Sequence, residues 1–200
     1  MSMAKSDVAF LLAPGAGAPS THPRMRVFRA MLEKLGTVVA FDYAYALQGR
    51  KSPDRLPKLI ETHRAALAGL REKHAGPIVL VGKSMGGRVG CHVALVEQVD
   101  AVVCLGYPLC AAGDSSKLRD EVLISLRTPI MFVQGTKDRL CPLDLLEDVR
   151  RRMSAPNALH VVEGGDHSLI VSKTELKTRG VSQETIDAGV GAAISKFLAC

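Results

Sequence analysis

The sequence has no tryptophan and few aromatic residues of any kind: three Tyr and five Phe, 4% of 200 residues. A core built from it must be aliphatic, and the exposed aromatics on which nucleic-acid bases would stack are missing. There is no dense basic block either. The 26 basic and 20 acidic residues leave a net charge of +6, yet the densest run is Arg150-Arg151-Arg152. That excess reads as a solvated surface, and no nucleic-acid partner is expected. The five cysteines (Cys91, Cys104, Cys110, Cys141, Cys200) include no CxxC pair and leave one over, with Cys91 and Cys104 in apolar stretches. This is the pattern of a reduced, intracellular protein. No apolar run approaches a membrane span, and the polar start, Met1 to Asp7, carries no secretory signal. A cytoplasmic protein without membrane contact is the expectation.

What is present is ordinary globular composition, 47% hydrophobic and 23% charged, with 18 Gly and 10 Pro. It rules out a disordered tail, a coiled coil and a collagen-like chain. Two hundred residues suit one domain and are awkward for two, so residues 1–200 are read as a single domain. Short apolar runs at 8–12, 37–41, 78–81, 101–105, 130–133 and 158–162 predict six strands. Between them, apolar residues at helical spacing predict helices over 25–35, 54–73, 85–97, 143–153 and 184–198. In the second of these, His63 shares a face with Leu56, Leu59, Ile60, Leu67 and Leu70 and reads as a packed histidine at the core edge. Strands apolar on both faces, alternating with amphipathic helices, define a parallel sheet covered on both sides: a three-layer α/β/α domain.

In such a fold, chemistry gathers where strands end and helices begin. Gly82-Lys83-Ser84-Met85-Gly86-Gly87 lies there, directly after the third strand and before a helix. It fits the G-x-S-x-G nucleophile elbow in its strand–turn–helix context. A serine on so tight a turn takes a strained conformation and draws together the residues two before and two after it. Only glycine fits there, hence Gly82 and Gly86. The partial positive charge of the helix N-terminus then favours an anion developing at Ser84. A phosphate-binding loop is the decoy: Gly82-Lys83-Ser84 would need a glycine at position 77, which is Pro. A dinucleotide fingerprint at Gly15-Ala16-Gly17 fails too, because its third glycine position is Ser20. No cofactor is implied.

A serine nucleophile needs a base, and the base an orienting acid. His167, in Gly164-Gly165-Asp166-His167-Ser168 after the sixth strand, is the one histidine on a loop at the right edge. The acid should follow strand five, where Gln134-Gly135-Thr136-Lys137-Asp138-Arg139 supplies Asp138. Asp166 is the competitor, but it adjoins His167 and would have to fold back on it. The order Ser84, Asp138, His167 is the serine–acid–histidine order of the α/β-hydrolases. Backbone N–H donors for an oxyanion would come from Met85 and from Pro14-Gly15-Ala16-Gly17, through Ala16 or Gly17.

With these motifs the chain resembles a compact α/β-hydrolase of the dienelactone-hydrolase-like group, and within it the branch of testis-expressed and NSL-complex hydrolase-like proteins. Leu105-Gly106-Tyr107-Pro108-Leu109 and Val133-Gln134-Gly135-Thr136-Lys137-Asp138 add to the likeness, which runs over nearly the whole chain. The resemblance implies Ser84, Asp138 and His167 as the triad, a metal-free mechanism and strand order 2-1-3-4-5-6. Two departures stand out. Pro14 occupies the place of the usual histidine of the oxyanion loop, and Ser84 replaces the cysteine of dienelactone hydrolases proper.

The expected activity is hydrolysis of a small ester or thioester. A peptide remains an alternative, and so does a non-catalytic module that keeps the fold to bind a protein partner. The only stretch available for a cap is 107–127, too short for a large lid. Tyr43, Tyr45, Tyr107, Leu109 and Arg139 are expected pocket walls by position. Lys83, Lys117, Arg119 and Arg139 would surround the mouth and favour an acidic ester.

Overall fold

The computed structural model describes residues 8–112 and 114–199. The stretch Met1 to Asp7, read above for targeting, and Cys200 lie outside them. The strands are β1 (Ala9–Ala13), β2 (Thr37–Ala40), β3 (Ile78–Lys83), β4 (Ala101–Leu105), β5 (Ile130–Gly135) and β6 (Asn157–Val162). The helices are α1 (Pro23–Leu32), α2 (Ala44–Leu47), α3 (Leu56–Arg71), α4 (Met85–Ala94), α5 (Glu121–Ser125), α6 (Leu143–Arg152), α7 (Lys173–Arg179) and α8 (Gln183–Leu198). The six strands form one sheet in the order β2-β1-β3-β4-β5-β6. Every pairing is parallel, with Leu11 opposite both Val39 and Leu80. The expected three-layer architecture and strand order are those observed.

Strand alternation divides the core in two. Ala9, Leu11 and Ala13 of β1 face one layer, where Leu59, Leu67 and Leu70 of α3, Val89 and Val93 of α4, and Leu146 and Val149 of α6 pack against them. Phe10 and Leu12 face the other, against Met25, Phe28 and Leu32 of α1 and Val190 and Ile194 of α8. Each such buried Val, Leu, Ile, Phe or Met side chain contributes roughly 1.5–3 kcal/mol. His63 is wholly buried rather than at the core edge, its Nδ1 3.2 Å from the Tyr43 hydroxyl. Burial pushes its pKa down to about 3. Cys91 and Cys104 are small core residues as expected, their sulfurs 3.8 Å apart.

Strand order reverses between β1 and β3. The chain leaves β1 for α1 on one face and leaves β3 for α4 on the other, so the loops after these two neighbouring strands part and open a crevice at their C-terminal ends. The nucleophile elbow and the Gly-rich loop meet at that crevice.

Candidate active site

Ser84 caps α4 with φ 52° and ψ −117°, a left-handed conformation that a non-glycine residue adopts only when its surroundings enforce it. Its N–H is held by the Leu105 carbonyl at 3.1 Å, and its own carbonyl accepts from Arg88 N–H at 3.1 Å. The glycines leave no room for anything larger. A β-carbon on Gly82 would lie 2.1 Å from Gly87 N, and one on Gly86 would lie 2.6 Å from the carbonyl oxygens of Ala13 and Pro14. The tightness lifts the Ser84 side chain above the end of the sheet.

His167 Nε2 lies 2.8 Å from Ser84 Oγ, and His167 Nδ1 lies 2.7 Å from Asp138 Oδ2. The Asp138 side chain is fully enclosed and that of His167 is 27% exposed, so the orienting acid is shielded from water while the base can reach a substrate. Burial pushes the Asp138 carboxyl up. The His167 ring, Leu140 N–H (2.9 Å to Oδ1) and the Gln134 side-chain amide more than offset that, and it ends below the usual carboxylate range. Asp166 does not compete: its Oδ1 accepts from Ser168 N–H at 2.7 Å and Ile170 N–H at 2.9 Å, shaping the loop instead.

Gln134 is the site residue that the motifs did not single out. Buried at the end of β5, it donates from Nε2 to Asp138 Oδ2 and accepts the Tyr107 N–H at Oε1, 3.0 Å away. A polar residue inside an otherwise apolar strand, four positions before the acid, was the available signal.

The loop after β1 runs beside the nucleophile, where a β-carbon on Gly15 would lie 3.5 Å from Ser84 Cβ. Ala16 and Gly17 are both exposed, and Gly17 has φ 73°. Burial pushes the Tyr45 phenol up, and the neighbouring Gly17 backbone opposes that shift.

The expected pocket walls need correction. Tyr43, Tyr107 and Leu109 are 0% exposed, so they belong to the core and offer no surface to a substrate. Tyr45 is also buried; in a chain this poor in aromatics, all three tyrosines are recruited to fill the interior. Tyr107 donates its hydroxyl to the Arg119 carbonyl, and the Arg119 guanidinium bonds the carbonyls of Pro108 and Cys110, which commits Arg119 to the fold. Lys83 is buried with its pKa pushed down to about 8: desolvation is the main cause, Arg24 adds to it, and Asp138 and Asp166 oppose it. Of the basic residues expected at the mouth, Lys117 and Arg139 are exposed.

The sheet order, the elbow and the linked Ser84, His167 and Asp138 side chains form the Ser-His-Asp arrangement characteristic of serine hydrolases. Residues 6–198 match the model of the alpha/beta hydrolase domain family, and the chain belongs to that family. Among curated relatives, it is 28% identical over 123 residues to Protein sumv-2 of Caenorhabditis elegans, covering 60% of this chain and 11% of that protein. It is 38% identical over 82 residues to Lipase LipV of Mycobacterium tuberculosis, covering 40% of this chain and 31% of that one. The chain thus spans about a tenth and a third of the lengths of these relatives. Among solved structures, an a/b serine hydrolase without lid from Xanthomonas campestris superimposes with a TM-score of 0.72 at 17% identity, covering 98% of this chain and 84% of that one. Dienelactone hydrolase from Anabaena variabilis gives 0.69 at 16% identity, covering 96% and 85%. At such identities the likeness is one of fold, and it relates the chain to the dienelactone-hydrolase-like architecture. No helix among the described residues is long and apolar enough to cross a membrane.

Proposed function

We propose that the protein hydrolyses a small ester or thioester by acyl transfer through Ser84 to water. The observation that carries this reading is the unbroken chain Ser84 Oγ, His167 Nε2, His167 Nδ1, Asp138 Oδ2, with contacts of 2.8 and 2.7 Å. His167 takes the Ser84 proton at Nε2 as Oγ attacks the carbonyl carbon, and Asp138 holds the Nδ1–H tautomer and balances the imidazolium. The N–H group of Met85 and that of Ala16 or Gly17 are the proposed donors to the tetrahedral oxyanion. His167 then protonates the departing alkoxide or thiolate. A water molecule, deprotonated by the same nitrogen, cleaves the acyl-enzyme and returns Ser84 to its starting state.

Four buried free cysteines support a cytoplasmic setting. The run Gly82-Lys83-Ser84-Met85-Gly86-Gly87-Arg88 supports the narrower placement with testis-expressed and NSL-complex hydrolase-like proteins. A second reading, an interaction module that retains the fold, draws on one observation. In Protein sumv-2 the matching stretch is 11% of a much longer protein. A fluorophosphonate serine probe decides between the two. Labelling that disappears in both Ser84→Ala and His167→Ala supports the hydrolase and leads to a panel of short-chain esters and thioesters. A folded protein that resists the probe supports the module.

A further inference from the structure

We infer that Arg24 and Asp187 form a positioning pair for the catalytic histidine, holding the loop that carries His167 at its working height from α1 and α8, on the face of the sheet opposite the nucleophile helix α4. The inference deepens the hydrolase reading and rests on it for its kinetic consequence.

Arg24 stands in the first turn of α1, 8% exposed. Its guanidinium grips Asp187 of α8 through two contacts, Nη1 to Oδ2 at 2.7 Å and Nη2 to Oδ1 at 2.8 Å. Its remaining reach goes to the chain just after His167: Nε donates to the Ser168 carbonyl at 2.8 Å and Nη2 to the Leu169 carbonyl at 3.2 Å. The Phe28 ring closes over its Cζ at 4.4 Å. A planar fork of fixed donors suits this arrangement, and a lysine could not reproduce it.

The loop needs such a hold. Leu169 has φ 61°, and together with Ser84 it makes up the non-glycine residues of positive φ among those described. A branched residue leaves that region unless several contacts confine it. Those contacts are present. Leu169 is buried in the core, Asp166 binds the N–H groups of Ser168 and Ile170, and Gln183 Nε2 donates to the Leu169 carbonyl at 3.0 Å. Gln183 also donates to Asp187 at 3.1 Å, so the pair and the loop form one network. α1 follows the loop that flanks Ser84. Arg24 therefore ties the nucleophile side of the crevice to the base side while touching neither reacting group.

The test is a double variant, Arg24→Met with Asp187→Leu, which removes both charges of the pair together and leaves neither unpaired, and so keeps the fold. With the purified full chain, we expect fluorophosphonate labelling and kcat on a short-chain nitrophenyl ester to fall about 100-fold, the loss that a displacement of about 1 Å produces. KM should stay near the wild-type value, because neither residue touches substrate. Amide exchange should quicken at Ser168 and Ile170. In Arg24→Ala, added guanidinium ion should restore labelling where methylammonium does not. A folded double variant that labels at the wild-type rate overturns the inference, as does unchanged exchange at Ser168 and Ile170. Should the wild-type chain itself resist the probe, the hydrolase reading fails, and the exchange measurement still decides the clamp.

Discussion

Gly106 and the His167 backbone are in such close contact that a β-carbon at position 106 would lie 2.5 Å from the His167 carbonyl oxygen and 3.5 Å from its Nδ1. The tip of β4 is thus the floor on which the catalytic base rests. Gly106 also has φ 70°, which an L side chain pays for in strain. Gly106→Ala should cost roughly 1–2 kcal/mol from the backbone alone and push the His167 loop outward. Turnover of an ester under the proposed hydrolase mechanism should fall at least about tenfold, with a lower thermal midpoint, both read on the purified variant.

Asp138→Asn keeps the shape of the acid but offers an N–H where His167 needs an acceptor, which favours the wrong tautomer. Turnover should drop by about 10,000-fold while the circular dichroism spectrum stays that of the wild type. A loss of less than tenfold would mean that another group orients His167.

Gln134 serves two buried partners, and two substitutions separate them. Gln134→Leu strands the Tyr107 N–H, at a cost of about 1–3 kcal/mol, and takes one donor from Asp138. Gln134→Glu places a second carboxyl against Asp138, raising the pKa of the pair. The acid limb of the pH–rate profile should move to higher pH in Gln134→Glu, which a pH series with the same ester measures.

His63 predicts how stability responds to acid. Its folded pKa of about 3 lies below the ordinary histidine value, so between the two the unfolded chain binds the extra proton. Its contribution is complete above the unfolded pKa, about 6.5, and is lost as pH falls toward 3. The slope is at most about 1.4 kcal/mol per pH unit. His92 and His160, also shifted down by burial, act in the same direction. In urea titrations at stepped pH, His63→Gln should flatten the decline between pH 6 and 4.

Lys83 works against stability at neutral pH. Its folded pKa of about 8 lies below the unfolded value of about 10.4, so the buried ammonium is a cost that disappears as pH rises between them. Lys83→Met should therefore melt higher than the wild type at pH 7. The advantage should vanish above about pH 10.5, which paired thermal melts would register.

The triad was legible because each of its parts carries a local signature: glycines around Ser84, a loop histidine, and an acid after a strand. The regular core was legible for the same reason, through apolar runs and helical spacing. Strand ends were harder to read, since β3 and β5 continue to Lys83 and Gly135, where backbone ladders outlast the apolar pattern. Three helices went unread. α7 buries no residue and so has no apolar stripe, while α2 and α5 span four and five residues, too few to show a period. The pocket failed for a different reason. Position along a strand tells which edge of the sheet Tyr43 and Tyr107 occupy, but whether they turn outward depends on what else can fill the interior. The Arg24 network joins residues 144 to 163 positions apart, a separation no local pattern announces.

Tyr107, Leu109 and Cys110 anchor the start of the segment after β4 in the core, and Val122 and Leu123 anchor its far end. Between these posts Ala111, Ala112, Asp114, Ser115, Ser116 and Lys117 are exposed. The domain is therefore a socket: a longer insert grafted between those two posts would roof the crevice and change what enters it, while the wiring of the triad below stays as it is.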